Sequence, residues 1–504
     1  MKRLGFTIIK NTLANVARGG ATAMVALVLP HFLTRSLDAD RFAAWVLLLQ
    51  VAAYANYLDF GLQTSLARFL AQAIERENYR QRDALINTAL FMLALLGLLA
   101  LCVVLLVVGA LPHMFPSIPA SLAHEFAKSV LILGGSSALL LPFSAFSGIL
   151  VGLHKNEYTA LAIGGSRLIG ATLVLLTARY THSLVALTLC VALTNLLGGF
   201  LQAGFAWLLL PQPRFHWNLV DRATARELTR FSTGLMAWSF SGMLVTGLDL
   251  TILGFYQFGS VGYYAIGSSL VTFVAGLNGS ASSALMAPLA ALHASADTGR
   301  ISETTLRVSR MGTYLNLLVT AAAFAGGGYV LRAWVGNAYA IQAKPILEIL
   351  IIATTIRLVA SPYASMLIAT GQQRYGIAQG VVEGVTNLVA SLLLGYRFGA
   401  IGIASGTLIG AVCGILWTCI FTLSWATEFP IPRVSFVREA MIRPLASAAP
   451  LLLFAGLFYG RPTTPVSLGA LAICCLFTYL STVYVGEIFP AHSLRLRASN
   501  AGIP

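Results

Sequence analysis

Long apolar runs constrain the fold of this chain more than any other feature. Between residues 11 and 485 of the 504-residue sequence, runs of about 20 mostly apolar residues recur with few charges inside them. An α-helix of roughly 20 residues crosses the ~30 Å hydrocarbon core of a bilayer. Transmembrane β-barrels show short alternating segments instead. The pattern predicts an all-α polytopic membrane protein.

The charge content supports this prediction. Only 10% of the residues are charged, against about 25% in ordinary soluble domains. The net charge of +14 would suggest a nucleic-acid partner in a soluble protein. Here the basic residues lie in short loops between apolar runs, a distribution that the positive-inside rule explains. We therefore expect no nucleic-acid partner.

Fourteen transmembrane helices are predicted, and most of the 32 Lys and Arg residues then lie in loops on one side. This bias predicts that both termini are cytoplasmic. The predicted spans are 11–33, 42–65, 84–110, 127–152, 159–178, 183–210, 231–256, 261–286, 311–331, 345–370, 376–396, 401–425, 444–459 and 466–485.

An internal repeat predicts two lobes in the same orientation. At one constant offset, Gly152 and Lys155 match Gly371 and Arg374, and six predicted spans separate equivalent positions. Parallel repeats of this kind are related by an axis along the membrane normal. The predicted domains are an N-terminal six-helix lobe (1–212), a cytoplasmic linker (213–230), a C-terminal six-helix lobe (231–427), and two extra helices with a cytoplasmic tail (428–504).

Two further patterns concern helix shape and packing. Pro142 and Pro362 lie at nearly equivalent places in the fourth and tenth spans, where proline kinks a helix by removing a hydrogen bond. In the twelfth span, glycine recurs at every fourth position, at Gly402, Gly406, Gly410 and Gly414. Small residues on one face let helix backbones approach closely, so this stripe predicts a packing seam; a sliding surface is the alternative.

Polar side chains form stripes along several otherwise apolar spans, which predicts a wet interior. Side chains at i, i+3 or i+4, and i+7 lie on one helix face. Such stripes are Asn11, Asn15, Arg18 and Thr22 in the first span; Ser239, Gly242, Thr246 and Asp249 in the seventh; Thr354, Arg357, Ser361 and Ser365 in the tenth; and Gln379, Glu383 and Asn387 in the eleventh.

Several motifs resemble one transporter family. They are the stretch from Leu29-Pro30 to Arg68, with Leu58-Asp59-Phe60-Gly61 inside it, together with Gly371-Gln372-Gln373-Arg374 and Gly399-Ala400-Ile401-Gly402-Ile403-Ala404. This set, between residue 8 and about residue 425, resembles the polysaccharide transporter (Wzx-type flippase) family of the MOP superfamily. Ala43 departs from the family pattern, in which glycine is usual.

The resemblance implies a fold and a function. We expect two six-helix lobes around a central cavity, with two additional C-terminal helices, in the bacterial inner membrane. The expected activity is translocation of undecaprenyl-pyrophosphate-linked oligosaccharide, for O-antigen and lipopolysaccharide, capsule or exopolysaccharide assembly, by alternating access. Membrane lipids and a polysaccharide polymerase or export complex are the expected partners.

A lipid-linked oligosaccharide needs cations for its pyrophosphate and hydrogen-bonding groups for its sugars. Arginine suits a pyrophosphate because its planar guanidinium donates bidentate hydrogen bonds. Arg18, Arg167 and Arg357 are therefore the anion-site candidates, with Asn15 and Ser361 as neighbouring substrate-binding groups. The alternative is that each arginine pairs with an acid, for example Arg167 with Glu383, or reaches to a lipid headgroup.

Acidic residues at membrane depth suggest ion coupling. A desolvated carboxylate can exchange protons, and ionisable groups inside membrane spans are functional candidates. Glu383, Asp59 and Asp249 are the candidates for coupling to H⁺ or Na⁺. At a rise of about 1.5 Å per helical residue, we expect Asp59 to lie about 26 Å along its span towards the cytoplasm, and Arg357 to lie nearest the midplane.

Enzyme chemistry finds little support in the sequence. Asp38-Ala39-Asp40 mimics a metal-binding motif, but its place in a short loop favours a helix cap or a loop charge. The phosphate-binding pattern GxxxxGK[ST] does not occur, and the longest outward loop, 111–126, is short for a membrane-embedded polymerase. We expect no enzymatic activity, no cofactor and no metal site. A cation-coupled MATE-like multidrug exporter is the alternative function.

Overall fold

The computed structural model describes residues 25–210, 216–284, 298–425, 431–459 and 464–483, with Leu289, Leu292 and His293 between them. Helices and their connections make up this part of the chain, in which no strand occurs. Seven helices there are long and apolar enough to cross a membrane, and nine spans result if each bent pair counts as one. The prediction of an all-α polytopic membrane protein is confirmed, whereas the count of fourteen spans stays a prediction.

The described residues fall into two compact units. The first is drawn from Met1–Met243 and Leu250–Gly262, the second from Leu244–Asp249 and Tyr263–Pro504. The predicted domain boundaries stay a prediction. A helix that begins at Arg222 already occupies part of the stretch expected to be a linker.

The first unit is built on a leucine-rich core that includes Leu66, Leu70, Ile149 and Leu150, all buried. Its helices are 25–36 (α1), Ala39–Ala53 (α2), Leu62–Glu75 (α3), Tyr79–Met114 (α4), Ala120–Leu140 (α5), Ser144–Gly152 (α6), Asn156–Tyr180 (α7), Leu184–Leu209 (α8), and most of Arg222–Thr246 (α9) and Asp249–Tyr256 (α10).

The second unit has a core around Tyr363, Met366, Leu367 and Phe436. Its helices are Val261–Ala284 (α11), Thr298–Val335 (α12), Asn337–Val359 (α13), Ser361–Ala369 (α14), Gln373–Trp417 (α15), Arg433–Ser447 (α16), Ala449–Leu457 (α17) and Pro465–Val483 (α18). A π-helical turn, Thr418–Thr422, follows α15.

Local chemistry fixes where α2 begins. The Asp38 carboxylate accepts a hydrogen bond from the Arg41 backbone N–H at 2.8 Å and forms an ion pair with the Arg41 guanidinium at 2.6 Å. A side chain that satisfies an unpaired N–H of the first turn is an N-cap. The interpretation of Asp38-Ala39-Asp40 as a helix cap is confirmed.

The two prolines lie where helices break. Residues 141–143 form turns between α5 and α6, and Ala360 separates α13 from α14, so that Pro142 and Pro362 lie at matching interruptions. Proline lacks the N–H that would continue the hydrogen-bond ladder. The predicted kinks are confirmed.

The glycine stripe of the twelfth span closes a helical hairpin. Gly399, with φ 57° and ψ −133°, divides α15 into two arms, 373–398 and 400–417. A Cβ added at Gly406 would lie 2.6 Å from the Ser391 backbone N, and one at Gly410 would lie 2.9 Å from the Glu383 carbonyl oxygen. No side chain fits in that space, which confirms the predicted packing seam.

The extra C-terminal helices pack against α12. Ala321 and Ala325 of α12 form a small buried cluster with Leu451, Ala455 and Cys475. Glu439 of α16 also binds Arg310 of α12 at 2.6 Å. Apolar contact and an ion pair therefore fix these helices to the second unit.

Candidate functional site

Asp249 lies at a break between two helices and is fully paired. α9 ends at Thr246 and α10 begins at Asp249. One Asp249 carboxylate oxygen, Oδ2, accepts hydrogen bonds from the Tyr264 hydroxyl at 2.8 Å and from the Thr407 hydroxyl at 2.9 Å. Broken membrane helices free backbone and side-chain groups that can coordinate coupling ions. The break therefore places a carboxylate among oxygen atoms.

Asn387 extends this network to a backbone carbonyl. Its Nδ2 donates to the Val245 carbonyl at 3.0 Å and, at 3.4 Å, to the second Asp249 oxygen. Its Oδ1 accepts from the Ser391 hydroxyl at 2.9 Å. All these side chains are less than a tenth exposed. We call Asp249, Tyr264, Asn387, Ser391 and Thr407 the Asp249 cluster.

Arg357 and Glu383 form a partly buried ion pair in the same unit. The Arg357 Nε lies 2.5 Å from Glu383 Oε1, and the Glu383 side chain is 4% exposed. The Arg357 Nη2 is buried without a hydrogen-bond partner in the described part of the chain. Gly414 packs against Glu383, because a Cβ there would lie 2.8 Å from Glu383 Oε2. The seam thus holds Glu383, while the Arg357 Nη2 lacks a hydrogen-bond partner among the described residues.

The first unit contains a polar cavity of about 470 Å³. Two of the predicted site residues, Asp59 and Arg167, line it. Uncharged polar side chains, among them Gln63, Asn195 and Gln202, line it as well. The cavity therefore brings together two charges of opposite sign and several hydrogen-bonding groups.

Asp59 lies at a second helix break. The predicted span 42–65 is not one helix: α2 ends at Ala53, and a 3₁₀ turn, Tyr54–Tyr57, precedes α3. The depth of Asp59 estimated from a continuous helix is therefore wrong. The Asp59 Oδ1 accepts a hydrogen bond from the Gly61 N–H at 3.0 Å.

The backbone conformation and close packing of Gly61 explain why this helix break requires a glycine. Its φ is +77°, a left-handed conformation that suits glycine, and a Cβ there would lie 2.8 Å from the Leu235 Cβ. Phe60 also has a positive φ of 49°, which is uncommon for a bulky residue and occurs at functional sites. The Leu58-Asp59-Phe60-Gly61 motif therefore encodes a turn that holds Asp59 at the cavity wall.

The other predicted site residues have different outcomes. Arg18 and Asn15 lie outside the described residues. Ser361 opens α14, and its carbonyl accepts a hydrogen bond from the Ser365 hydroxyl at 3.1 Å. Glu383, which the sequence offered as an example partner for Arg167, pairs with Arg357. The substrate-binding and ion-coupling roles of these residues stay predictions.

Sequence reasoning did not select Tyr264 and Thr407, the two hydroxyl donors to Asp249. Thr407 adjoins Gly406 of the glycine stripe, so it lies beside the seam. Extending the stripe of Glu383 and Asn387 by one turn also reaches Ser391. These positions in the sequence were the available signals, but only the packing shows to which acidic side chain the hydroxyl groups donate.

A sequence profile described as "Polysaccharide biosynthesis protein" matches residues 8–291, more than half of the chain. The chain belongs to the polysaccharide biosynthesis protein family. The family resemblance inferred from the sequence is thereby confirmed. No curated protein sequence matches this family member.

Solved structures with this fold are transporters. "Lipid II flippase MurJ, inward closed conformation" has a TM-score of 0.73 and 13% identity, covering 94% of this chain and 98% of that chain. A multidrug resistance MATE family transporter of the MOP superfamily has a TM-score of 0.62 and 15% identity, covering 83% and 96%. A MOP superfamily transporter from Pyrococcus furiosus has a TM-score of 0.56 and 13% identity, covering 83% and 96%. At these identities the likeness shows the fold alone.

Proposed function

We infer that this family member is a flippase that translocates undecaprenyl-pyrophosphate-linked oligosaccharide across the bacterial inner membrane by alternating access. Its family supports a role in polysaccharide biosynthesis, and its fold is that of membrane transporters rather than enzymes. O-antigen, capsule and exopolysaccharide units all fit this substrate class. Both termini are then cytoplasmic, and a polysaccharide polymerase or export complex receives the product.

The buried Nη2 atom of Arg357, a partly exposed side chain, is the observation that carries this proposal. Glu383 binds its Nε, but the buried Nη2 has no hydrogen-bond partner among the described residues. An unsatisfied buried donor on a charged group is costly. A pyrophosphate oxygen would satisfy it with a charge-assisted hydrogen bond. Arg357 is therefore the proposed phosphate contact, with Ser361 one turn further along, and with Arg18, Asn15 and Arg167 as further substrate contacts.

The Asp249 cluster is the proposed coupling site. It offers a carboxylate with two hydroxyl oxygens in hydrogen-bonding distance, and the Asn387 amide nitrogen links that carboxylate to the Val245 carbonyl. Such a set suits either a proton on Asp249 or a sodium ion held between oxygens. Glu383 and Asp59 are the other coupling candidates. Ion exchange at Asp249 would alter the hydrogen bonds that join the helix break to α15.

Polymer export in living cells tests the assignment of Arg357. We expect Arg357→Ala to reduce surface polymer at least tenfold in a strain deleted for the chromosomal gene, and Arg357→Lys to restore only part, because lysine lacks the planar guanidinium. The matched control is Arg397→Ala, which removes an exposed arginine. Membrane levels are compared by immunoblot. Normal export by Arg357→Ala, at a normal protein level, would reject the assignment.

A MATE-like multidrug exporter is the second candidate, because a MATE transporter shares the fold over 83% of this chain. Such a protein would protect cells from small amphipathic cations. A drug-susceptibility panel on the deletion strain separates the two. Unchanged susceptibility with lost surface polymer supports the flippase, and the reverse pattern supports the exporter.

A further inference from the structure

The cavity of the first unit is lined by Asp59 and Arg167, but also by uncharged polar side chains to which the proposed function assigns no role. Its volume of about 470 Å³ falls within the ~300–1,000 Å³ of typical ligand clefts. A single ion or a few waters would leave most of it unfilled, since liquid water takes about 30 Å³ per molecule. The cavity is therefore of a size for an organic ligand.

Two amides on one face of α8 point to a hydrogen-bonding ligand. Asn195 and Gln202 are separated by seven residues, two helical turns, and both line the cavity. Within the described part of the chain, neither side-chain amide takes part in a hydrogen bond with protein. Each amide offers both a donor and an acceptor. Polar side chains this far inside an apolar bundle need partners.

Another part of the cavity lining adds further hydrogen-bonding groups. The Gln63 amide donates to the Ser147 hydroxyl at 2.9 Å, and both residues line the cavity. Phe143, at the break before α6, adds an aromatic ring that meets Phe200 edge-on with centroids 5.0 Å apart. Paired donors and acceptors beside an aromatic ring match the hydroxyl edge and the apolar face of a sugar.

Charge complementarity narrows the ligand class. One acid, Asp59, and one base, Arg167, line the cavity, so its formal charge is balanced. Arg167 would repel a strongly cationic ligand, and Asp59 would repel a strongly anionic one. A neutral, hydroxyl-rich molecule can bind the carboxylate as donor and the guanidinium as acceptor.

We propose that this cavity binds the glycan end of the substrate, a short and uncharged oligosaccharide segment, through Asn195, Gln202 and the Gln63–Ser147 pair. The proposal rests on the proposed function, because it assigns the sugars of that substrate to a pocket within the first unit. It also makes Asn195 and Gln202 specificity-determining residues, since their amides would read the positions of the sugar hydroxyls.

Protection of a single cysteine tests the proposal directly. The six native cysteines are replaced by alanine or serine, and Val191→Cys is introduced, because Val191 lines the cavity one helical turn before Asn195 without belonging to the proposed binding groups. The purified protein is labelled with a hydrophilic maleimide in the presence of the oligosaccharide released by mild acid from the lipid-linked pool of the host. We expect this probe to slow labelling at least threefold, whereas glycerol at equal concentration has no effect.

Arg80→Cys in the same background is the matched control, because this residue is exposed and does not line the cavity. Its labelling should be insensitive to both compounds. Equal labelling of Val191→Cys with and without the oligosaccharide, in a protein that still exports polymer, would overturn the proposal and leave the flippase assignment intact. Loss of the flippase assignment would appear separately, as normal surface polymer in the deletion strain.

Apolar replacement of the amides provides a second test. Asn195→Leu and Gln202→Leu keep the approximate side-chain size but remove the hydrogen bonds. We expect each to lower export of the native polymer at least fivefold at a normal membrane level. The control, Leu193→Ala, shortens an apolar side chain at an exposed position of the same helix and adds no polar group. Unchanged export by both leucine variants would also overturn the proposal.

Discussion

The two units of this protein place their polar residues in opposite ways. In the second unit, Asp249 accepts hydrogen bonds from three side chains, and Glu383 binds Arg357. In the first unit, Asp59 and Arg167 line a cavity, and the only hydrogen bond to the Asp59 side chain within the described residues comes from the Gly61 N–H. Asp249 and Glu383 therefore have side-chain partners, whereas Asp59 has a backbone partner among the described residues and lies at a cavity.

Glycine placement accounts for much of this difference. In the second unit, Gly406, Gly410 and Gly414 of one arm of α15 lie in close contact with Ser391, Asn387 and Glu383 of the other arm. In the first unit, Gly198 and Gly199 allow α8 to approach its neighbours, but the flanking Asn195 and Gln202 line the cavity. Polar side chains that bind each other suit an ion or a fixed ion pair, whereas polar side chains that line a cavity suit a larger ligand.

The largest effect on stability should come from breaking the closed ion pair. Glu383→Ala leaves the Arg357 guanidinium without its carboxylate partner, and loss of one member of a buried pair costs about 3–5 kcal/mol. Asp59→Ala should cost less than about 1.5 kcal/mol, because a single hydrogen bond contributes about that much or less. Thermal unfolding of the purified proteins in detergent, followed by intrinsic fluorescence, measures both changes.

A rescue variant checks the cause of that loss. Glu383→Ala combined with Arg357→Met removes the unpaired charge and should recover most of the unfolding free energy, since apolar replacement of a buried ion pair is often neutral. If Glu383→Ala and Asp59→Ala lower the unfolding temperature equally, the contrast between a closed and an open unit does not hold.

Much of the fold followed from the sequence, because the signals involved are periodic and local. Apolar run lengths predict the spans, Pro142 and Pro362 predict the helix breaks, and the glycine stripe predicts the seam. Each depends only on residues close together in the chain. The resemblance to the polysaccharide transporter family also depended on short local motifs.

The partners of the charged residues did not follow from the sequence. Asp249 binds Thr407, which lies 158 positions further along the chain, and nothing local in the sequence identifies that partner. The break before Gly61 was also missed, because the apolar run 42–65 continues through it. Hydropathy reflects the cost of placing polar groups in lipid. It does not reveal a break in a helix, because irregular backbone is tolerated where it is buried in protein.

A smaller effect should follow when a methyl group is added to the seam. In Gly410→Ala the new Cβ would lie 2.8 Å from the Asn387 Cβ and 2.9 Å from the Glu383 carbonyl oxygen. Overpacking of this kind costs about 1–3 kcal/mol. The first-unit control is Gly204→Ala, whose Cβ would meet nothing within 4 Å, so that its stability should stay within about 1 kcal/mol or rise.

Unfolding temperatures and export are measured together for this pair. We expect Gly410→Ala to lower both and Gly204→Ala to lower neither. A seam that must slide during transport would give another result, with export lost while the unfolding temperature stays unchanged. That outcome would favour the sliding surface, the alternative that the sequence left open, over a packing role for the glycine stripe.

The smallest effect should come from a single hydroxyl. Thr407→Val removes one hydrogen bond to the Asp249 carboxylate, and bonds to charged groups contribute about 1.5–3 kcal/mol at most; with Tyr264 still in place, we expect about 1 kcal/mol. The control is Thr194→Val in the first unit, because the Thr194 hydroxyl bonds only to carbonyls of its own helix, at Cys190 and Val191, in the described structure. That change should be nearly neutral.

The ion dependence of export by these two threonine variants is more informative than the change in their stability. If the Asp249 cluster holds the coupling ion, Thr407→Val should shift the sodium or proton concentration needed for half-maximal export severalfold, and Thr194→Val should not shift it. Because Thr407 does not line the cavity of the first unit, a shift without a change in glycan protection would assign the two tasks to different units. Equal ion dependence of both variants and the unsubstituted protein would instead leave the cluster with a structural role alone.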